Sequence, residues 1–337
     1  MTSDQGGVTL RNATSADWAA MADVASRGWR ADGLADARTG QSLADDNPES
    51  DHFTMERDVL VAEVDGELAG YLMGFRVVRD GMLVAETRGA MAPEHRRRGI
   101  GTRLWLATRD RLAAECATDP RPGPGELRTH AMDAEAGDRA LLNAMGYVPI
   151  RYGFEMCRYL TGSLPEHPVP EGLVMRPAVE PEYRAIFDAD CEAFQDHWGH
   201  RENTEADFQM LFYRADVDPS RFLVAWDGDQ VAGVVMNAIF DDENQTLGTC
   251  RGWLEHVSVR SAWRGRGVAK ALCSASFRLL RDLGMDEAWL GVDGSNPTGA
   301  LQLYEGLGFK VVHRWQAYGR PLDRPASAGW RSKDGSS

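Results

Sequence analysis

The run Arg264-Gly265-Arg266-Gly267-Val268-Ala269 stands between an apolar, strand-like stretch and a stretch with helical spacing. Glycines in such a turn leave backbone N–H groups unscreened by side chains, beside the positive end of a helix dipole. That arrangement suits an anion, above all a phosphate or pyrophosphate. Two phosphate-binding patterns do not fit. A nucleotide P-loop requires G-x-x-x-x-G-K-[ST], which is missing here, and a dinucleotide fingerprint requires a third glycine where Lys270 stands.

The elements that must hold this turn can be read on either side of it. Trp253 to Val259 carries Leu254, Val257 and Val259 and reads as a strand. Val268 to Leu283 places Val268, Leu272, Ser276, Leu279, Leu280 and Leu283 at helical spacing.

The same pieces occur earlier in the chain, in the same order. Val8-Thr9-Leu10-Arg11 precedes a helix start, as Leu173-Val174-Met175-Arg176 does 165 residues later. Val59 to Ala62, Asp65-Gly66 and Leu68 to Gly70 read as a hairpin, echoed by Phe222 to Ala225, Asp227-Gly228 and Val231 to Gly233. Arg96-Arg97-Arg98-Gly99-Ile100-Gly101 matches the turn at Arg264, and Met145-Gly146-Tyr147 answers Leu307-Gly308-Phe309. A duplication is the economical explanation.

Each copy reads as a strand, one or two helices, three antiparallel strands, a long helix, a strand, a helix and a closing strand. This is an α/β (mixed α+β) sheet with helices on its faces. The expected domains are 1–160 and 172–322, joined by a Pro- and Gly-rich linker at 161–171. Asp119 to Gly125 reads as an inserted loop, and residues 323–337 as a disordered tail.

With an arginine three residues before its second glycine, the turn resembles that of the GNAT superfamily of N-acyltransferases. The resemblance covers most of each copy, and the tandem layout is similar to mycothiol synthase, which acetylates a cysteine amine on a pseudo-disaccharide. It implies two tandem GNAT-like domains and acetyl-CoA as cosubstrate. The pyrophosphate would be held by amides from Gly265, Arg266, Gly267, Val268, Ala269 and Lys270, with Arg264, Val257, Val259 and Asn296 also at the cosubstrate. In the first copy the corresponding residues are Arg97, Arg98, Gly99, Ile100, Gly101 and Thr102.

Acyl transfer to an amine needs a base to remove a proton and an acid to protonate the departing thiolate. Glu255, nine residues before Arg264, matches the catalytic glutamate of the spermidine/spermine acetyltransferase branch. Tyr304, five residues before Phe309, occupies the family's general-acid position. On the residues alone, Glu255 also reads as a solvent-facing strand carboxylate and Tyr304 as a core aromatic. The first copy has Leu142 where Tyr304 stands and Thr87 where Glu255 stands, with Asp133 near the place of Asn296. It is therefore expected to be non-catalytic. His197-Trp198-Gly199-His200, ahead of a helix cap at Asn203 or Thr204, lies where this fold lines its acceptor pocket. Two histidines without a third ligand do not make a metal site.

Composition narrows the function. The 337 residues are 43% hydrophobic and 26% charged, ordinary values for a globular protein. A net charge of −14 argues against a nucleic-acid partner and is compatible with a cationic amine, or equally with acidity that serves solubility alone. The five cysteines lack C-x-x-C spacing, so neither a disulfide framework nor a zinc site is expected. Residues 1–7 show no signal peptide, and no apolar run approaches the roughly 20 residues of a membrane helix, so a cytoplasmic location without membrane contact is expected. The leading expectation is an N-acetyltransferase for the primary amine of a small molecule. Alternatives are a mycothiol synthase-like reaction on a cysteinyl amine, or a non-enzymatic acyl-CoA sensor, which would have lost Glu255 and Tyr304.

Overall fold

Asp65 and Gly66 both adopt positive φ, +53° and +86°, so the chain reverses in a two-residue turn whose twist matches that of the strands it joins. Asp80 and Gly81 do the same, at +51° and +76°. These turns build the antiparallel centre of the first half of the fold. The computed structural model describes residues 7–50, 53–119, 125–295 and 299–322. Asn296 and the tail 323–337 lie outside the described residues, as does most of the inserted loop.

The first half runs β1 (Val8–Asn12), α1 (Trp18–Ala31), α2 (Gly40–Asp45), α3 (Met55–Asp58), β2 (Val59–Val64), β3 (Glu67–Arg79), β4 (Met82–Met91), α4 (Ile100–Ala117), β5 (Gly125–Met132), α5 (Ala136–Ala144) and β6 (Val148–Tyr159). The second runs β7 (Val174–Pro177), α6 (Tyr183–Phe194), α7 (Glu205–Tyr213), β8 (Leu223–Asp227), β9 (Gln230–Ala238), α8 (Asp241–Leu247), β10 (Arg251–Val259), α9 (Val268–Asp282), β11 (Glu287–Asp293), α10 (Ala300–Gly306) and β12 (Lys310–Leu322). The repeat is thus visible element by element. One departure is α8, which replaces the Asp80-Gly81 hairpin between the third and fourth strands. Residues 160–173 form neither helix nor strand.

The chain packs as two compact units, one of residues 1–151 with 315–337 and the other of 152–314. The repeat boundary and the packing boundary therefore differ. In the second unit β11 pairs antiparallel with residues 153–159 of β6, a strand that belongs to the first repeat. In the first unit β5 pairs antiparallel with residues 315–322 of β12. Each repeat gives up its closing strand and receives the other's. Strand order is β1-β2-β3-β4-β5-β12 in the first unit and β7-β8-β9-β10-β11-β6 in the second. All pairs are antiparallel except β4 with β5 and β10 with β11.

Within the second unit, α9 covers one face of the sheet. Leu272, Phe277 and Leu280 are fully buried there beside Leu254 and Leu290. The helical spacing read from the sequence is right for Val268, Leu272, Ser276 and Leu280, but Leu283 falls just beyond the helix and stays exposed. The opposite face carries α6 and α7, through Ile186, Phe187, Phe208 and Phe212 against Val224, Val234 and Met236. Thr204 caps α7, its hydroxyl accepting from the Asp207 amide. Among the described residues, no helix is long and apolar enough to cross a membrane.

A polar tie fastens α6 to β10. His256 Nδ1 lies 2.8 Å from Oδ2 of the buried Asp190, whose other oxygen has no partner among the described residues. Burial alone would push the His256 pKa down. The Asp190 carboxylate, with Glu255 nearby, outweighs it, so the net shift is upward from 6.5. A pKa raised in the folded state gives stability that is complete below about 6.5 and is lost as pH rises through the folded value. Asp190→Asn should therefore cost about 1–3 kcal/mol near pH 6 and clearly less near pH 8.5, read by urea unfolding. A loss identical at both pH values would show that no charge is involved.

Candidate active site

β10 and β11 begin as a parallel pair but stay in register for only Arg251–Trp253 against Glu287–Trp289. Beyond Leu254 and Leu290 they part. Strict alternation would set Leu254 on the face opposite Val257 and Val259, yet all three pack against the α9 core. The reason is a bulge: the register with β9 jumps between Leu254 and His256, with Glu255 as the extra residue between them. The bulge turns Glu255 outward, where it is exposed. It also sends His256 to the α6 face.

The parted strands open a cavity of about 510 Å³ within the second unit. Leu254 to Val259 line it on one side, without His256, and Gly291 to Asp293 line it on the other. Arg264, Gly265 and Gly267 to Lys270 form one end, and Ala300, Leu303 and Tyr304 of α10 another wall. Ala193, Phe194 and His197, from the end of α6, complete it together with Trp263.

The glycine turn is built as its sequence requires. Gly265 and Gly267 have φ of +74° and +86°, and a Cβ on either would meet nothing of the protein within 4 Å. The space beside these backbones is open, at the N-terminus of the fifteen-residue α9, where the first helical amides have no partner within the helix. Arg264 does something else with its side chain. Its guanidinium donates to the carbonyls of Val259 and Ala193, each at 3.0 Å, tethering the turn to the end of β10 and to α6. Arg266 is not in the cavity wall.

Tyr304 is only 7% exposed, its ring set edge-on to Phe309 at 5.9 Å between centroids. Burial raises its pKa above the ordinary phenol value, with the Cys273 thiol adding to the effect. The proton therefore stays on the oxygen through the neutral range. Phe309 N donates to Tyr304 O at 3.0 Å, just as Tyr147 N donates to Leu142 O in the first unit. The two positions are structural equivalents.

The first unit keeps the backbone of the turn but carries different side chains at the equivalent positions. Arg97 and Gly99 take up φ of +60° and +80°, reproducing Gly265 and Gly267, and Gly99 caps α4 as Gly267 caps α9. From this turn, Arg98 lies within hydrogen-bond distance of the His95 ring, at 2.9 Å. Arg96 is held by Asp32, at 2.7 and 2.8 Å, and by the Gly28 carbonyl. Ile100 is buried at the start of α4, followed by Gly101 and Thr102. Leu142 is 6% exposed within the core. β3 and β4 pair without a register break, so no bulge presents a side chain at Thr87. Instead the Thr129 hydroxyl donates to Thr87 O at 2.9 Å, drawing β4 and β5 together. Glu86, next to Thr87, is buried in an ion pair with Arg79, and Asp133 accepts from Gln316.

Of the residues singled out in the sequence, Glu255, Val257, Val259, Arg264, Gly265, Gly267, Val268, Ala269, Lys270 and Tyr304 converge on one cavity. Sequence reasoning missed Phe194, Trp263, Asp293 and Leu303 on its walls. Only their place beside the turn, the strand end and Tyr304 gave a signal. Nothing in the residue types marked the bulge or the Asp190–His256 pair.

The chain is similar to known proteins along most of its length. The acetyltransferase (GNAT) family matches twice, over residues 18–119 and 183–309. The mycothiol acetyltransferase of Nocardia farcinica is 32% identical over 267 residues, covering 77% of this chain and 81% of its own length. A GCN5-related N-acetyltransferase structure from Sphaerobacter thermophilus superimposes with a TM-score of 0.75 at 25% identity, covering 95% of this chain and 97% of its own. A tandem GNAT protein from the clavulanic acid biosynthesis pathway shares the fold, with a TM-score of 0.69 at 17% identity, over 95% of this chain and all of its own. Two matched regions and relatives aligned along most of the chain make this a tandem, acetyl-transferring enzyme, and the chain belongs to the acetyltransferase (GNAT) family.

Proposed function

We propose that the chain moves an acetyl group from acetyl-CoA to the primary amine of a small molecule, with one working site, in the second unit. The observation that carries this is the convergence of a side-chain-free anion cradle, a bulged-out carboxylate and a buried phenol on one cavity. The cradle fits a pyrophosphate: both glycines hold positive φ with open space beside them, at a helix N-terminus. Glycine and valine main chain along the parted strands suits an extended thioester arm.

In this reading Glu255, directly or through a water, takes the proton of the amine. The freed nitrogen lone pair forms the new N–C bond at the acetyl carbonyl as the C–S bond breaks. Tyr304, still protonated because it is buried, gives its proton to the departing thiolate and recovers one afterwards. Neither group has a counterpart in the first unit, where Thr87 and Leu142 stand.

For the acceptor, the mycothiol acetyltransferases favour a cysteinyl amine on a pseudo-disaccharide, since the similarity to the Nocardia farcinica enzyme runs through both repeats. The test is loss of the thioester in a panel of amines, the cysteinyl pseudo-disaccharide and aminoglycosides included. Thioester loss is the better readout because a cysteinyl acceptor carries its own thiol. Tyr304→Phe and Glu255→Gln should each lower kcat roughly 10²-fold. Acetyl-CoA that binds while every amine leaves the thioester intact would favour the sensor reading. Gly267→Val places a Cβ in the cradle at a φ that costs about 1–2 kcal/mol for a side chain. It should raise the Kd for acetyl-CoA at least about tenfold in calorimetry, and an unchanged Kd would remove the cradle from the binding site.

A further inference from the structure

Tyr304 sits one turn from the C-terminus of α10, and that end is gripped by a residue of the first repeat. Arg158, on β6 opposite Ala288 of β11, donates from its guanidinium to the Leu307 carbonyl. Gly308 has φ of +88°, and a Cβ there would collide with the same guanidinium. The Leu307 and Phe309 amides both donate to Tyr304 O, at 3.1 and 3.0 Å. The side chains form a second path. Arg158 lies over the Phe277 ring at 5.2 Å, Phe277 meets Phe309 at 5.5 Å, and Phe309 meets Tyr304 at 5.9 Å. Among the described residues no carboxylate pairs with Arg158, and its buried Nε makes no hydrogen bond. Its positive charge is directed at the negative end of the helix.

The first unit holds the same device without the chemistry. Arg320, on β12, donates to the Met145 carbonyl at 2.6 Å, at the end of α5, and lies over Trp105 at 5.8 Å. The residue that α5 presents in place of Tyr304 is Leu142.

We propose that Arg158 is a positioning residue for acetyl transfer, which fixes the Tyr304 phenol in the cavity by clamping residues 307–309. This rests on Tyr304 being the acid. The full chain is assayed with acetyl-CoA and the cysteinyl pseudo-disaccharide, together with hydrogen exchange of the 307–309 amides. Arg158→Gln should lower kcat at least about tenfold, with the KM for acetyl-CoA within about threefold, and should speed exchange at 307–309. Arg320→Gln, with a similar fall in Tm, should speed exchange at 145–147 and leave kcat unchanged. In a Tyr304→Phe background, Arg158→Gln should cost little more, as two changes acting through one group do not add. Arg158→Lys keeps the charge and one donor and should recover much of the rate. If the Gln variant does not fold, Arg158→Met against Arg320→Met makes the same comparison.

Equal kcat losses from Arg158→Gln and Arg320→Gln, or unchanged exchange at 307–309, would overturn the inference. A slow Tyr304→Phe beside a normal Arg158→Gln overturns this inference alone. A Tyr304→Phe enzyme at the wild-type rate overturns the acid assignment, and this inference with it.

Discussion

Two parallel strands that separate after three residue pairs set the conditions for everything else in the second unit. A buried strand pair is held by its ladder of hydrogen bonds, and where the ladder stops the backbone groups need other partners. Beyond Leu254 and Leu290 they face a cavity instead of each other. The bulge at Glu255 belongs to the same event, since the extra residue shifts the alternation that Val257 and Val259 obey. Apolar contacts with α9 then continue uninterrupted while a carboxylate is turned out. In the first unit β3 and β4 pair without such a break and Thr129 bridges to Thr87, so the equivalent carboxylate position is lost along with its geometry.

The glycine turn shows how a backbone requirement outlives a chemical one. Arg97 adopts in the first unit the left-handed conformation that Gly265 adopts in the second, at the cost of roughly 1–2 kcal/mol that a side chain meets there. Arg96 and Arg264 both anchor their turn to the end of the first long helix of their unit, by bonds to Gly28 and Asp32 in one case and to Ala193 in the other. The turn is thus part of how strand, turn and helix are joined, and it persists where the groups proposed to act on acetyl-CoA have gone.

Exchange of the closing strands gives the duplication a further consequence. β6 completes the sheet that contains the cavity, although its residues belong to the repeat without a phenol or a bulged carboxylate. The first repeat has Thr87 and Leu142 at the positions of Glu255 and Tyr304, yet it supplies the strand that pairs with β11. Leu142 and Tyr304 are the clearest pair: the same helix, the same terminal glycine and the same amide-to-carbonyl bonds, with different side chains.

What the sequence determined by itself is what depends on neighbours in the chain. Positive-φ turns at Asp65-Gly66 and around Gly267, the periodicity of α9, and a helix cap at Asn203 or Thr204 all arise from a few consecutive residues, and the duplication repeated the turn signals. Spacing alone also aligned Leu142 with Tyr304, because helix, glycine and strand follow one another without insertion. The tertiary structure decided which strand closes which sheet, since that pairing joins segments far apart in the chain. It decided the Glu255 bulge, which no glycine marks, and the placing of Asp190 against His256 and of Arg158 against Leu307. Those contacts join residues 66 and 149 positions apart, and a contact between distant residues exists only once the sheet has brought them within reach.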